Sequence, residues 1–153
     1  MHKLRIYIDT SVIGGCFDEE FQEWSNKLFE EFISGKKIAV ISDVTLEEID
    51  NAPKKVRENL NRIPRINIEF ILLNQEAKDL SYSYINEGIV SKKSLLDTRH
   101  IALATINKVD VIVSWNFKHI VNYNKIKLYN SVNLKLGYSY IEVRNPRELI
   151  DEN

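Results

Sequence analysis

The chain has 153 residues, 44% of them hydrophobic, which suits one compact domain able to bury its core without disulfides or a structural metal. Its 21 Lys and Arg against 22 Asp and Glu leave a formal charge of −1, which excludes the global basic field of a non-specific nucleic-acid binder and makes any such contact local. The single cysteine, Cys16, excludes an internal disulfide and a cysteine-cluster zinc site; no apolar run approaches the roughly 20 residues of a membrane span, and the N-terminus enters MHKLRIYID without a signal-peptide apolar region, so a cytoplasmic protein without membrane contact is expected.

Leu4 to Ile8 reads as a first strand that ends in Asp9, Thr10 and Ser11, one carboxylate and two hydroxyls, before Gly14 and Gly15 let the backbone turn. From Glu19 to Ile33 the set Phe21, Trp24, Leu28, Phe29, Phe32 and Ile33 follows helical spacing, and Gly35 stops it. Lys37 to Ser42 is a second buried strand, followed by a helix in which Thr45 and Glu48 have capping-box spacing. A basic helix is expected from Pro53 through Lys54, Lys55, Arg57 and Arg62 to Pro64. Ile66 to Leu73 makes a third strand and Gln75 to Glu87 a helix closed by Gly88.

Leu95 to Ile120 organises the rest. Ser94 is placed to cap a helix with Leu96, Ile101, Leu103, Ala104 and Ile106 at helical spacing and Asp97 in its first turn. Val111 to Val113 is apolar at every position, as a strand covered on both faces should be, and Ser114, Trp115 and Asn116 follow its carboxyl end. A helix broken near Asn122 to Asn124, a strand from Tyr138 to Val143 and a terminal turn from Asn145 complete the chain. The β-α-β-α alternation predicts one parallel three-layer α/β/α domain over residues 1–153.

Ligands of open parallel sheets sit beyond the carboxyl ends of the strands, where Asp9, Glu48, Asp97 and Asn116 converge under right-handed crossovers. Unpaired carboxylates that close repel one another, and such a cluster calls for a cation; an all-oxygen set favours Mg²⁺ or Mn²⁺ over zinc. Each residue also has a plainer role: Asp97 as the acid of a capping pair with Ser94, Glu48 as a helix-start acid, Asn116 as a turn former, and His100 and His119 as satisfied core histidines.

The ordered set IYIDTSVI, LEEI, LLDTRHIALA and VIVSWNFKHI, with NSVNLKLGY in the tail, resembles the PIN-domain nucleases, including the toxin nucleases of prokaryotic toxin–antitoxin pairs. The resemblance covers nearly the whole chain and implies a mostly parallel five-stranded sheet. It matches the family's catalytic acids to Asp9, Glu48 and Asp97, also the metal ligands, and its fourth position, often Asp, to Asn116. Thr10, Ser11 and Ser114 fall where the family places hydroxyls near the metal. It further implies RNA phosphodiester hydrolysis with Mg²⁺ or Mn²⁺, an antitoxin partner and a homodimer, for which Phe21, Trp24, Phe29 and Tyr82 or Tyr84 offer apolar surface. Lys54, Lys55, Arg57, Lys92 and Lys93 are the candidate phosphate contacts. The amide at position 116 keeps a second reading open, a PIN-like domain that binds RNA or a protein partner without cutting. A phosphatase of the haloacid-dehalogenase type is disfavoured because Ser11 stands where its second Asp is needed.

Overall fold

In the computed structural model, which describes residues 2–150, strands β1 (Arg5–Ile8), β2 (Ile38–Ser42), β3 (Ile68–Ile71), β4 (Val111–Val113) and β5 (Val143–Arg144) form one parallel sheet ordered β3-β2-β1-β4-β5. Register sorts the core into two layers. Tyr7 sits opposite Val40 and Ile112 and shares their face, while Ile6 sits opposite Ala39 and Val111 and shares the other. The period-two alternation of strands produces this separation. Helices α1 (Thr10–Gly15), α2 (Gln22–Ile33), α3 (Asp43–Ile49) and α4 (Lys54–Arg57) contribute Val12, Phe29, Ile49 and Val56 to the Ile6 face. Helices α5 (Gln75–Asn86), α6 (Leu95–Ile106) and α7 (Tyr123–Lys135) bring Tyr84, Ile101 and Tyr129 to the Tyr7 face. No helix among the described residues is long and apolar enough to cross a membrane.

Several local expectations are corrected, some by local caps and others by tertiary partners. The segment of Gly14 and Gly15 is helical because Asp9 accepts from Val12 N–H and caps α1. Helix α3 is capped by Ser42 rather than Thr45, which puts Glu48 in the last turn. The basic helix expected up to Pro64 stops at Arg57 and continues as a 3-10 turn, Asn59–Arg62, in which Asn59 Nδ2 donates to Ile13 O. Strand β3 begins only at Ile68, after a 3-10 turn whose Asn67 bonds the carbonyl of Phe32. The strand expected over Tyr138 to Val143 shrinks to Val143–Arg144, because the side chain of Asn130 binds both N–H and C=O of Ile141 and takes that backbone out of the ladder. Phe29 and Tyr84 are wholly buried and offer no surface for association, whereas Tyr82 is exposed.

Candidate active site

The chain leaves β1 toward β2 on one side and β4 toward β5 on the other, so the crevice between β1 and β4 is the topological switch point of this sheet. Asp9 lies there, buried, at the end of β1. Ser11 Oγ donates to its Oδ1 at 2.6 Å and Ser114 Oγ, from the end of β4, donates to its Oδ2 at 2.6 Å. Burial pushes the Asp9 carboxyl above the usual range, opposed by His100 and the two hydroxyls. The hydroxyls predicted at positions 11 and 114 therefore hold Asp9 directly. Thr10 Oγ1, also predicted here, is enclosed and makes no hydrogen bond among the described residues.

Glu48 arrives from α3 on a second support. Its Oε1 meets Nε2 of His100, while Nδ1 of His100 lies 2.6 Å from the Tyr7 hydroxyl, which lies 2.7 Å from Ser42 Oγ. An ionised carboxylate only accepts, so Nε2 of His100 carries a proton and donates to Glu48. Burial raises the pKa of Tyr7 and keeps it a hydroxyl. His100 is a satisfied core histidine as expected, but the partner that satisfies it is a candidate catalytic acid. A carboxylate in the last turn of a helix faces the unfavourable end of the dipole, so Glu48 does not serve as a helix-start acid.

Asp97 has neither kind of support. Ser94 ends a 3-10 turn with φ −101 and ψ 25, outside the extended region a capping residue needs, and makes no capping bond. The Asp97 carboxyl is half-buried and forms no hydrogen bond among the described residues. Its pKa is raised chiefly by burial and further by the charges of Asp9 and Glu48, while His100 and His119 pull it down. The structure therefore brings Asp9, Glu48 and Asp97 within electrostatic reach of one another.

Asn116 stands at the same edge, but its Oδ1 accepts from the backbone N–H of Lys118 and His119 at 3.2 and 2.9 Å, so the side chain holds a turn. His119, expected in the core, is only half-buried, with Nδ1 3.3 Å from Lys125 Nζ. The roles of Tyr7 and His119 were not visible in the sequence; the one usable signal was that Tyr7 is the only polar residue within an otherwise apolar stretch of β1, IYI. Lys54, Lys55, Arg57, Lys92 and Lys93 are all exposed. Cys16 is buried and free, with its thiol raised by burial.

The donor set suits a hard divalent cation: buried or half-buried carboxylate oxygens, one of them, on Asp97, without a hydrogen-bond donor. As the side chains stand, no group of three His, Cys, Asp or Glu among the described residues is placed to hold an ion. The cage of three carboxylates expected from the sequence is thus not closed, because Glu48 is turned to His100 and both Asp9 oxygens are held by serines.

No protein-family model matches the chain, and no curated protein matches it significantly. Solved structures do. FitAcB from Neisseria gonorrhoeae is similar over 94% of this chain and 99% of its own, with a TM-score of 0.60 and 14% identity. VapBC2 from Rickettsia felis, bound to a DNA fragment from its promoter, is similar over 93% and 98%, with 0.55 and 15%. VapC20 from Mycobacterium tuberculosis, a toxin that cleaves the sarcin-ricin loop, is similar over 74% and 92%, with 0.56 and 10%. This chain has the PIN-like α/β fold of these structures; at such identities the likeness is one of fold.

Proposed function

We propose that this chain is a divalent-metal-dependent endoribonuclease and the toxin of a toxin–antitoxin pair. The observation that carries the reading is Asp97, a half-buried carboxylate without a hydrogen bond that faces the charges of Asp9 and Glu48. Such a group raises the free energy of the fold unless a cation joins it. Asp9 and Asp97 would hold Mg²⁺ or Mn²⁺, with Glu48 completing the set on release of one oxygen from His100. A bound cation would supply charge neutralisation at the phosphate and an acidified water. The serines fix Asp9, His100 and Tyr7 fix Glu48, and Asn116 holds the loop at the end of β4 in place. Lys54, Lys55, Arg57, Lys92 and Lys93 would contact phosphates outside the centre. Support comes from the fold shared with VapC20, a sarcin-ricin loop cleaving toxin, and with a toxin–antitoxin complex from Klebsiella pneumoniae. The same reading expects an antitoxin partner, a homodimer and a cytoplasmic location.

The test is cleavage of a mixed RNA pool by the purified chain with Mn²⁺ or Mg²⁺. Metal-dependent cleavage silenced by a chelator is expected, and full cleavage in excess chelator overturns the mechanism. Light scattering should return twice the chain mass. The engagement of Glu48 by His100 and of Asn116 by backbone N–H groups favours a second reading, a PIN-like domain that binds without cutting. Retention of RNA on the protein with no cleavage under any divalent cation would select it.

A further inference from the structure

Beside the carboxylates lies a cleft of about 320 Å³, lined by Ser11, Gly14, Gly15, Asp18, Phe21, Trp115 and Asn116. We propose that this cleft receives one unpaired nucleobase of the RNA strand whose phosphate meets Asp9 and Asp97; the proposal rests on the nuclease reading above.

Gly14 carries the argument by having no structural reason to be glycine. It lies in α1 with an ordinary helical backbone, and a Cβ added there meets nothing within 4 Å. Its neighbour Gly15 is the opposite case, since a Cβ there would stand 2.6 Å from Ser25 Oγ and 2.8 Å from Trp115 Nε1. Glycine inside a helix costs stability relative to alanine, so Gly15 answers to packing while Gly14 leaves space open in the floor of the cleft.

The walls match a base rather than another ligand. Phe21 and Trp115 stack on each other with centroids 4.2 Å apart and give the cleft an aromatic side, and Phe117, tilted against both, is exposed. Flat π-faces stack on such surfaces whatever the base. The Asn116 oxygen is held by two backbone N–H groups, which leaves its Nδ2 as a donor without an acceptor among the described residues. Asp18 accepts from Glu20 N–H at 2.8 Å through one oxygen and offers the other as an acceptor. A donor and an acceptor beside an aromatic wall suit the edge of a nucleobase, whereas the Asp18 charge and the apolar lining repel a phosphate.

The cleft adjoins the carboxylate site through Ser11. Ser11 Oγ, which donates to Asp9, also accepts from Trp115 N–H at 2.9 Å, so one side chain forms the wall between the two. A base there would place its own sugar-phosphate next to Asp9. A base in a duplex is stacked on both faces and paired along its Watson–Crick edge, so the substrate class is single-stranded RNA or an unpaired loop.

The experiment fills the cleft from its floor with Gly14→Ala, Gly14→Val and Gly14→Leu. Circular dichroism and the Mn²⁺-induced shift in melting temperature check that fold and cation binding are kept. Cleavage of a short single-stranded RNA pool is then followed by sequencing of the new ends. KM should rise with side-chain size, tenfold or more for Gly14→Leu, and the nucleotide preference at one position beside the cut should be lost. A Gly14→Leu protein that binds Mn²⁺ and cleaves with unchanged KM and preference overturns the proposal. Should the wild type cleave no RNA, the nuclease reading fails separately, and saturation-transfer NMR with nucleoside monophosphates still decides the cleft. Base-proton signals with wild type that vanish with Gly14→Leu uphold it. No signal with either protein, or a signal unchanged by Gly14→Leu, overturns it.

Discussion

The end of β1 and the first turn of α6 deliver carboxylates to the same edge of the sheet and treat them in opposite ways. Asp9 is fully enclosed, yet each oxygen receives a hydroxyl at 2.6 Å and one also receives a backbone N–H. Asp97 is more open, and no donor reaches it among the described residues. A buried charge that is hydrogen-bonded is tolerable on its own, whereas an unbonded one facing two like charges depends on something not yet bound. Asp9 is therefore built for position and Asp97 for capture. Glu48 stands between them, shared with a histidine that is itself held by a tyrosine.

The largest effect should come from the capture side. Asp97→Asn should lower metal-dependent RNA cleavage by more than the ~100-fold that changes to outer-sphere partners usually cost, and should remove most of the Mn²⁺-induced rise in melting temperature. Full cleavage by this variant would break the contrast at its stronger end. Ser114→Ala tests the positioning side by removing the hydroxyl from Asp9 Oδ2. Titration calorimetry should show Mn²⁺ affinity reduced by about 10- to 100-fold, with stability lower by about 1–3 kcal/mol because a buried carboxylate oxygen loses its donor. An unchanged affinity would mean that Ser114 merely fills space.

Tyr7→Phe keeps the ring in the core and deletes the hydroxyl between Ser42 and His100. Cleavage should fall about tenfold through kcat rather than KM, since Glu48 is loosened while RNA contacts are untouched. His100→Gln, which keeps a donor toward Glu48, should retain more activity than His100→Ala; equal losses would remove His100 from the support of Glu48.

The smallest effect is one of stability, and its sign is diagnostic. Burial raises the Asp97 pKa, so the folded state binds its proton more tightly than the unfolded chain does. Stability from this residue is therefore present below the unfolded value of about 3.9 and declines as pH rises through the raised folded value. Asn cannot lose that proton. The metal-free Asp97→Asn protein should be more stable than wild type at neutral pH by about 0.5–2 kcal/mol, a gain limited by solvent screening of a half-exposed group, and the gain should fade in acid. Melts across pH decide it; a loss of stability at pH 7 would return Asp97 to a capping role.

The sequence by itself determined the order of elements, because buried parallel strands and amphipathic helices carry different periods, and Val111–Val113 shows this most plainly. It also placed Asp9, Ser114 and Asn116 at strand ends, since that is a matter of chain order. It set the final strand too long, gave α3 the wrong cap and counted Phe29 as surface, because those outcomes depend on Asn130, Ser42 and the facing layers. Only the tertiary structure decided that Ser11 and Ser114 saturate Asp9, that His100 belongs to Glu48, that Asp97 is left without a donor, and that Gly14 and Gly15 differ in kind. Apart from that of Ser11, two residues from Asp9, the contacts join residues distant in the chain. Local propensity and spacing carry no information about such pairs; the packing of the two layers against the sheet does.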